Sequence, residues 1–338
     1  MTLFGFIAAE KAEHPVSLMC RVLGVSRQGY WSFDHRPASQ RALDDARLLR
    51  EIRRIHRESG GTYGSPRVHA QLRREGWRVS RKRVERLMAK HGLHGVPEPR
   101  RKRGTTVRLA GVRPAPDLVG RDFTAKAPNR LWLADIKRID TDEGPLHLAA
   151  VVDCFARRCV GWSMSARIDE QLVRQVLRHA LARRRPRRGL IHHSDQGAQY
   201  TAVAFGANLR AAGIHMSMGS RGCALDNAPI EAFFASLERE VCDRHHFTSR
   251  AEARQATFEW IEAFYNRRRL HSTLGYRSPA EYEQQHERRT LKPIAGALER
   301  LVDTLEREQK VRKVGLISLI SQPVSQATAV STKPGEAQ

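Results

Sequence analysis

The chain has 338 residues, 41% of them hydrophobic and 28% charged, which is length for two or three domains and composition for a folded core rather than a disordered chain. Its 59 Lys+Arg against 36 Asp+Glu leave a net charge of +23 at pH 7, an excess that points to a polyanionic partner, nucleic acid first. A basic protein from an arginine-rich genome is the plain alternative. No run of about 18 apolar residues is present, which excludes a membrane-spanning helix. The apolar start Met1–Ala9 is too short for a signal peptide and no basic residues precede it, so a cytoplasmic location is expected. Five scattered cysteines (Cys20, Cys154, Cys159, Cys223, Cys242) suit free thiols in a reducing compartment. Cys242 beside His245 and His246 lacks the further partners of a zinc site.

In chain order, residues 14–33 read as two short helices around a turn at Gly24, with Ser26 capping the second, which carries Arg27, Gln28, Tyr30 and Trp31. The spacing suggests a helix-turn-helix-like segment over 1–36. A helical block follows over 38–95. Leu43, Leu48, Leu49, Ile52 and Ile55 give one helix, Ser65-Pro66 starts a second, and Ser80 caps a third. The last helix has Val84, Leu87 and Met88 inside and Arg81, Lys82, Arg83 and Arg86 outside, the face a DNA-reading helix needs. A solvated charged surface would look the same. Residues 96–122 form a basic linker, whose Arg100-Arg101-Lys102-Arg103 is expected to touch phosphates.

Beyond the linker, Leu131–Ile139 alternates like a strand. Leu146–Asp153 is more continuously apolar, and Cys159–Met164 makes a third strand. Helices are expected near 169–184, 201–212, 229–242 and 248–267, with short strands at 190–193 and 214–218. Three antiparallel strands followed by alternating helices and strands give an α/β core of the ribonuclease-H kind over 123–284, preceded by all-α helix-turn-helix domains. Residues 285–338 are expected to hold a charged helix over Pro293–Val311 and a disordered tail.

Three acids occupy informative positions. Asp135 lies mid-strand between apolar neighbours, where a charge is costly unless paired or bound to a cation. Asp195 ends a strand, a usual place for site residues in α/β sheets. Glu231 lies in the first turn of a helix. Each has an ordinary reading: an ion pair, a turn residue, a favourable acid at a helix start. Asp140, Asp142, Glu143 and Asp226 read as turn or surface acids, and Asp153 as a strand-end acid with a structural role.

Four stretches in order carry a specific resemblance. They are Trp132-Leu-Ala-Asp135-Ile; His193-Ser-Asp195-Gln-Gly-Ala-Gln-Tyr-Thr201; Asp226-Asn-Ala-Pro-Ile-Glu231-Ala-Phe-Phe234; and Tyr265-Asn-Arg-Arg-Arg-Leu-His271-Ser-Thr-Leu-Gly-Tyr276. Fifty-nine residues separate the two aspartates and 35 separate Asp195 from Glu231. Over residues 10–283 the sequence resembles the second-frame protein of the insertion-sequence-three group of bacterial transposases, whose core is similar to retroviral integrase. The segment Gly61-Thr-Tyr-Gly-Ser-Pro66-Arg67 resembles the helix-turn-helix region before that core, with Arg67 expected on DNA.

The resemblance implies a DDE transposase, a polynucleotidyl transferase working by two-metal phosphodiester transesterification. Asp135, Asp195 and Glu231 would be its catalytic and metal-binding triad, holding two Mg²⁺ ions with Mn²⁺ as substitute. His193, Gln196, Asn227, Arg267 and His271 would lie close to the active site or the DNA. It implies double-stranded DNA as substrate, both terminal inverted repeats and target. It further implies a first-frame partner or frameshift fusion, a homo-oligomer on DNA, no membrane, and a bacterial, nucleoid-associated location. One departure stands out. The family carries Lys or Arg seven residues after the glutamate, where this chain has Glu238; Arg239 is adjacent but about 100° further round the helix. Two rivals follow: a catalytically impaired or regulatory DNA-binding derivative, and a ribonuclease-H-like nuclease that cuts without joining.

Overall fold

A computed structural model describes residues 2–37, 39–97, 115–201, 203–219 and 224–320. The chain forms two compact units. The first holds 1–107, 139–144 and 232–260; the second holds 108–138, 145–231 and 261–338.

In the first unit, α1 (Leu3–Glu10), α2 (Val16–Val22) and α3 (Arg27–Asp34) enclose a small core of Ile7, Met19, Cys20 and Tyr30. Helix α1 is not foreseen from the sequence, because eight mostly apolar residues carry no helical period. Then α4 (Gln40–Glu58), α5 (Ser65–Arg74) and α6 (Arg81–Lys90) pack on one another through Leu48, Ile52, Ile55, Val68, Leu72, Val84 and Leu87. The expected caps Ser26 and Ser80 accept from the backbone N–H groups of Gly29 and Arg83, and Ser39, not named from the sequence, accepts from that of Ala42.

The second unit is built on a five-stranded sheet in the order β3-β2-β1-β4-β5, from β1 (Leu131–Ile139), β2 (Leu146–Asp153), β3 (Arg158–Ser165), β4 (Ile191–Ser194) and β5 (His215–Met218). β2 and β3 are antiparallel, whereas β4 runs parallel to both β1 and β5. Every residue of β2 is buried, its largely apolar run together with His147 and the terminal Asp153. Helix α7 (Glu170–Arg184), capped by Asp169, lies on β2 and β3. Its Leu172, Val173, Val176, Leu177 and Ala180 share a core with Trp132, Val151, Val160, Phe205, Leu209 and Ile214. In the region where a helix is expected near 201–212, the described residues form α8 (Ala198–Thr201) and α9 (Val203–Ala211).

Helix α10 (Ala228–Glu240) carries Glu231 in its first turn, and α11 (Arg250–Phe258) follows. The single helix expected over 248–267 is interrupted, since residues Glu259–Tyr265 take a π-helical turn. Behind that turn Asn266 brackets the backbone of Cys159 in β3, donating to its carbonyl and accepting from its N–H, both at 3.0 Å. Glu262 accepts from Trp162 Nε1 at 2.9 Å and from Arg183 at 2.6 Å. These sheet contacts set the register of the segment against the ideal helical period. The last helix, α12, runs unbroken over Pro279–Ile320 through Pro293, rather than starting near 293 as the sequence suggests. Ser278 and Glu281 cap it reciprocally, each accepting from the other's N–H.

Asp153 is structural, as expected. It is 0% exposed, accepts from the N–H groups of Asn129 and Phe155, and faces Arg184, which also grips Glu283 of α12 at 2.6 Å. No helix among the described residues is long and apolar enough to cross a membrane.

Gly161 marks the closest approach of sheet and helix. A Cβ there would meet the Val176 carbonyl oxygen at 2.7 Å and Ala180 Cβ at 2.8 Å. Backbone cannot move aside as a flexible side chain can. Gly161→Ala is therefore expected to lower unfolding stability by about 1–3 kcal/mol in chemical denaturation; an unchanged midpoint would mean that β3 and α7 are not packed this tightly.

Candidate active site

The site begins with strand register. In the parallel pair β1/β4, Leu131 lies opposite Ile191 and Ala134 opposite Ser194. The next residues along the two strands are Asp135 and Asp195, so the pairing delivers both acids side by side at the end of β4. This is the carboxyl end of parallel strands, where open α/β sheets hold ligands. Asn227, just before α10, donates from Nδ2 to the Ala134 carbonyl at 3.2 Å. That bond ties the start of α10 beside Asp135, and Glu231, four residues on, lies one helical turn away on the same side.

The electrostatics agree with this convergence. Burial, then the negative charge of Asp195 and, less strongly, of Glu231, push the Asp135 carboxyl up to about 7. The Ile136 N–H, 2.7 Å from Oδ1, and the charge of Lys137 act the other way. Burial also raises Asp195, opposed by the Gly197 N–H at 3.0 Å from its Oδ1. Glu231 is exposed. The carboxylates are not drawn into a closed cluster: among the described residues no three His, Cys, Asp or Glu side chains stand ready to hold a metal ion. Gathering three like charges more closely needs a cation.

The other residues expected at the site divide into groups. His193 is 1% exposed. Its Nδ1 is 2.8 Å from Ser217 Oγ on β5, and its Nε2 is 3.0 Å from the Asp226 carbonyl. The ring is a buried tie between β4, β5 and the approach to α10. Burial holds its pKa below the usual histidine value, so it is neutral at pH 7. Asn227 is buried likewise. Gln196 donates to the Gly219 carbonyl at 3.0 Å. Arg267 is exposed, and His271 packs edge-on against Tyr265 at 5.0 Å.

In the first unit, Arg81 and Lys82 are exposed, Arg239 is half-buried, and the Arg67 guanidinium lies 5.7 Å from the Tyr63 ring centroid. Arg83 does not project freely as the sequence suggests. It pairs with Asp45 of α4 at 2.7 Å, and Arg86 joins the same carboxylate at 2.6 Å. Arg101, Lys102 and Arg103 lie outside the described residues.

Two participants escape the sequence reading. Asp226 is 5% exposed and pairs with Arg121 at 2.7 Å, not a surface acid. Tyr200 is buried against His192 and Phe205, and its hydroxyl is raised well above the ordinary tyrosine value by burial and by Asp135 and Asp195. Its position five residues after Asp195, one short helix on, is the signal that could have singled it out.

If His193 is a tie rather than a DNA contact, His193→Ala is expected to cost roughly 1–3 kcal/mol of stability, from two lost buried hydrogen bonds and a cavity. Thermal unfolding without DNA checks this. Unaltered stability with weakened DNA binding would restore the ring to the DNA surface.

The family models and curated relatives that match the chain agree with this architecture. Residues 125–223 and again 212–279 match the family described as Integrase core domain, and residues 42–103 match the HTH-like domain. The chain is 39% identical over 250 residues to the transposase for insertion sequence element IS904 of Lactococcus lactis subsp. lactis (strain IL1403), covering 74% of this chain and 98% of that one. It is 36% identical over 283 residues to transposase InsF for insertion sequence IS3A of Escherichia coli (strain K12), covering 83% and 98%. Among solved structures, the simian T-cell lymphotropic virus intasome in complex with PP2A regulatory subunit B56 gamma aligns over 69% of this chain and 74% of that one, at 12% identity and a TM-score of 0.40. An integrase core that follows an HTH-like region, with transposase relatives matched over nearly their whole length, identifies this chain as a member of the IS3 family of transposases.

Proposed function

We propose that the chain cuts DNA at the terminal inverted repeats of its insertion sequence and joins the freed ends to target DNA, with Asp135, Asp195 and Glu231 as the catalytic carboxylates of a DDE transposase. One observation carries this reading. The β1/β4 register sets Asp135 beside Asp195, and Asp135 is pushed up to about 7 by its burial and by the charges of Asp195 and Glu231. A chain of net charge +23 that keeps three acids within mutual influence invites a cation there.

The donor set fits a divalent metal. Three carboxylates on separate elements are hard oxygen ligands of the kind Mg²⁺ and Mn²⁺ take. Two such ions, when bound, supply an activated attacking oxygen and a stabilised leaving oxygen. The protein's own part is positioning. β1 holds one ligand mid-strand, the second directly follows β4, α10 supplies the third from its first turn, and His193 and Asn227 fix α10 to the sheet. The Gly197 and Ile136 N–H groups orient the two aspartates. The order of chemistry is hydrolysis at the repeat tip, then attack of the freed 3′ hydroxyl on a second phosphate, with no covalent protein intermediate.

Residues 38–95 serve as a DNA-binding module in this reading, with Arg67, Arg81 and Lys82 on phosphates and Arg83 sharing its charge with Asp45. The basic residues 101–103 of the 96–122 linker, and Gln196, Arg239, Arg267 and His271, are further DNA contacts in this reading. A synaptic complex needs two ends, so the active form is a homo-oligomer on DNA, completed by a first-frame partner or fusion. Glu238 favours one second reading, a DNA-binding derivative with impaired catalysis.

The test uses labelled duplexes from both flanks of the gene, with Mg²⁺ or Mn²⁺ and with Asp195→Asn as control. Cleavage at the repeat tips and a joined product are expected from the wild type. The variant should lose activity by about a thousandfold or more. Binding without cleavage in either metal, with the first-frame partner present, establishes the impaired derivative; cleavage without joining establishes a nuclease.

A further inference from the structure

The three N-terminal helices lie outside the HTH-like match at 42–103 and hold none of the residues used so far. Leu23-Gly24-Val25 turns the chain between α2 and α3. Gly24 has φ +65°, a conformation that side chains strain. Met19, Cys20 and Tyr30 face inward with Ile7, and Phe4, Leu23 and Val25 pack against them. Gly29 keeps α1 close: a Cβ there would meet the Phe4 ring at 3.1 Å. Two short helices joined by a tight glycine turn, with a third behind, is helix-turn-helix geometry.

The other side of α3 has no such packing. Arg27, Gln28, Trp31, Ser32 and His35 are all exposed, and their spacing puts them on one stripe of the helix and its end. Trp31 is 61% exposed, and its ring stacks on His35 at 4.5 Å with 22° between planes. Such a tryptophan does nothing for this small core. The one acid on α3, Asp34, is neutralised by Lys11 at 3.4 Å. Arg27 has no ion pair among the described residues and stands in the first turn, where the helix dipole adds positive potential. Helix α6 differs, because Asp45 holds two of its arginines.

We propose that the outward face of α3 is a second DNA-reading surface, in which Arg27 and Gln28 reach base edges in the major groove and Trp31, backed by His35, packs against the adjoining strand. This deepens the end recognition proposed above and rests on it. The side-chain chemistry selects the partner. A guanidinium pairs with guanine O6 and N7, an amide with adenine N6 and N7, and recognition helices present such groups from their first turns. An apolar protein partner would instead leave Arg27 and Gln28 without use.

The test is fluorescence anisotropy of the full-length chain on a duplex from the element's end and on a scrambled duplex. The variants are R27A/Q28A and, separately, W31A. All three side chains are exposed, so the unfolding midpoint is expected to hold in both. End affinity should fall about tenfold or more, with a much smaller loss on the scrambled duplex. Wild-type end affinity in both variants overturns the proposal. So does a changed oligomeric state with unchanged DNA affinity, which assigns the face to a protein partner. If the unaltered protein does not distinguish the end from the scrambled duplex, this proposal and the end recognition beneath it fail together.

Discussion

Carboxylates taken out of water beside one another repel, and holding them there is the constraint on which the second unit depends. The β1/β4 ladder ends at Ala134 and Ser194, so the residues directly after these, Asp135 within β1 and Asp195 just past β4, are carried to the same level. Glu231 stands on a helix whose start is bonded to the Ala134 carbonyl through Asn227. The sheet therefore holds an arrangement that the acids alone would not adopt, and the proposed metal binding would offset that cost.

A second layer makes the arrangement rigid. His193 joins β4 to β5 and to the approach of α10, and Asp226 pairs with Arg121. Tyr200, buried against His192 and Phe205, lies within electrostatic reach of both aspartates. At the far end of β2, Asp153, Arg184 and Glu283 fasten α7 and α12 to the sheet. Polar groups are buried repeatedly in this unit, and nearly every one named here has its partner. This is the usual condition for keeping charge inside a fold.

Much of this was legible in the sequence, and the reasons are local. Alternation gave β1, and an acid among Leu131, Trp132, Leu133 and Ile136 stood out because a strand does not bury charge without cause. Serine caps at positions 26 and 80 mark helix starts that the structure repeats. What escaped depends on distant partners. Arg83 looks free until Asp45, 38 positions earlier, is folded against it. Asp226 looks like a turn acid until Arg121 reaches it across 105 positions. The π-helical turn before Asn266 answers to Cys159 and Trp162 on the sheet, which no helical period can reveal. The Arg100-Arg101-Lys102-Arg103 run lies outside the described residues.

The raised Asp135 carboxyl also fixes a sign. Its ordinary value is 3.8 and its folded value about 7. Between those limits the folded state holds a proton that the unfolded chain has lost, so stability falls as pH rises through this window and levels off above it. Bound metal should reverse the shift. The most direct measurement is a ¹³C-carboxyl titration of Asp135, assigned by difference from Asp135→Asn, without metal and then with Mg²⁺. A midpoint near 7 that drops below the ordinary carboxylate value when Mg²⁺ is added is the predicted result. A midpoint near 3.8 that ignores Mg²⁺ would contradict the claim that these three acids form one metal-holding site.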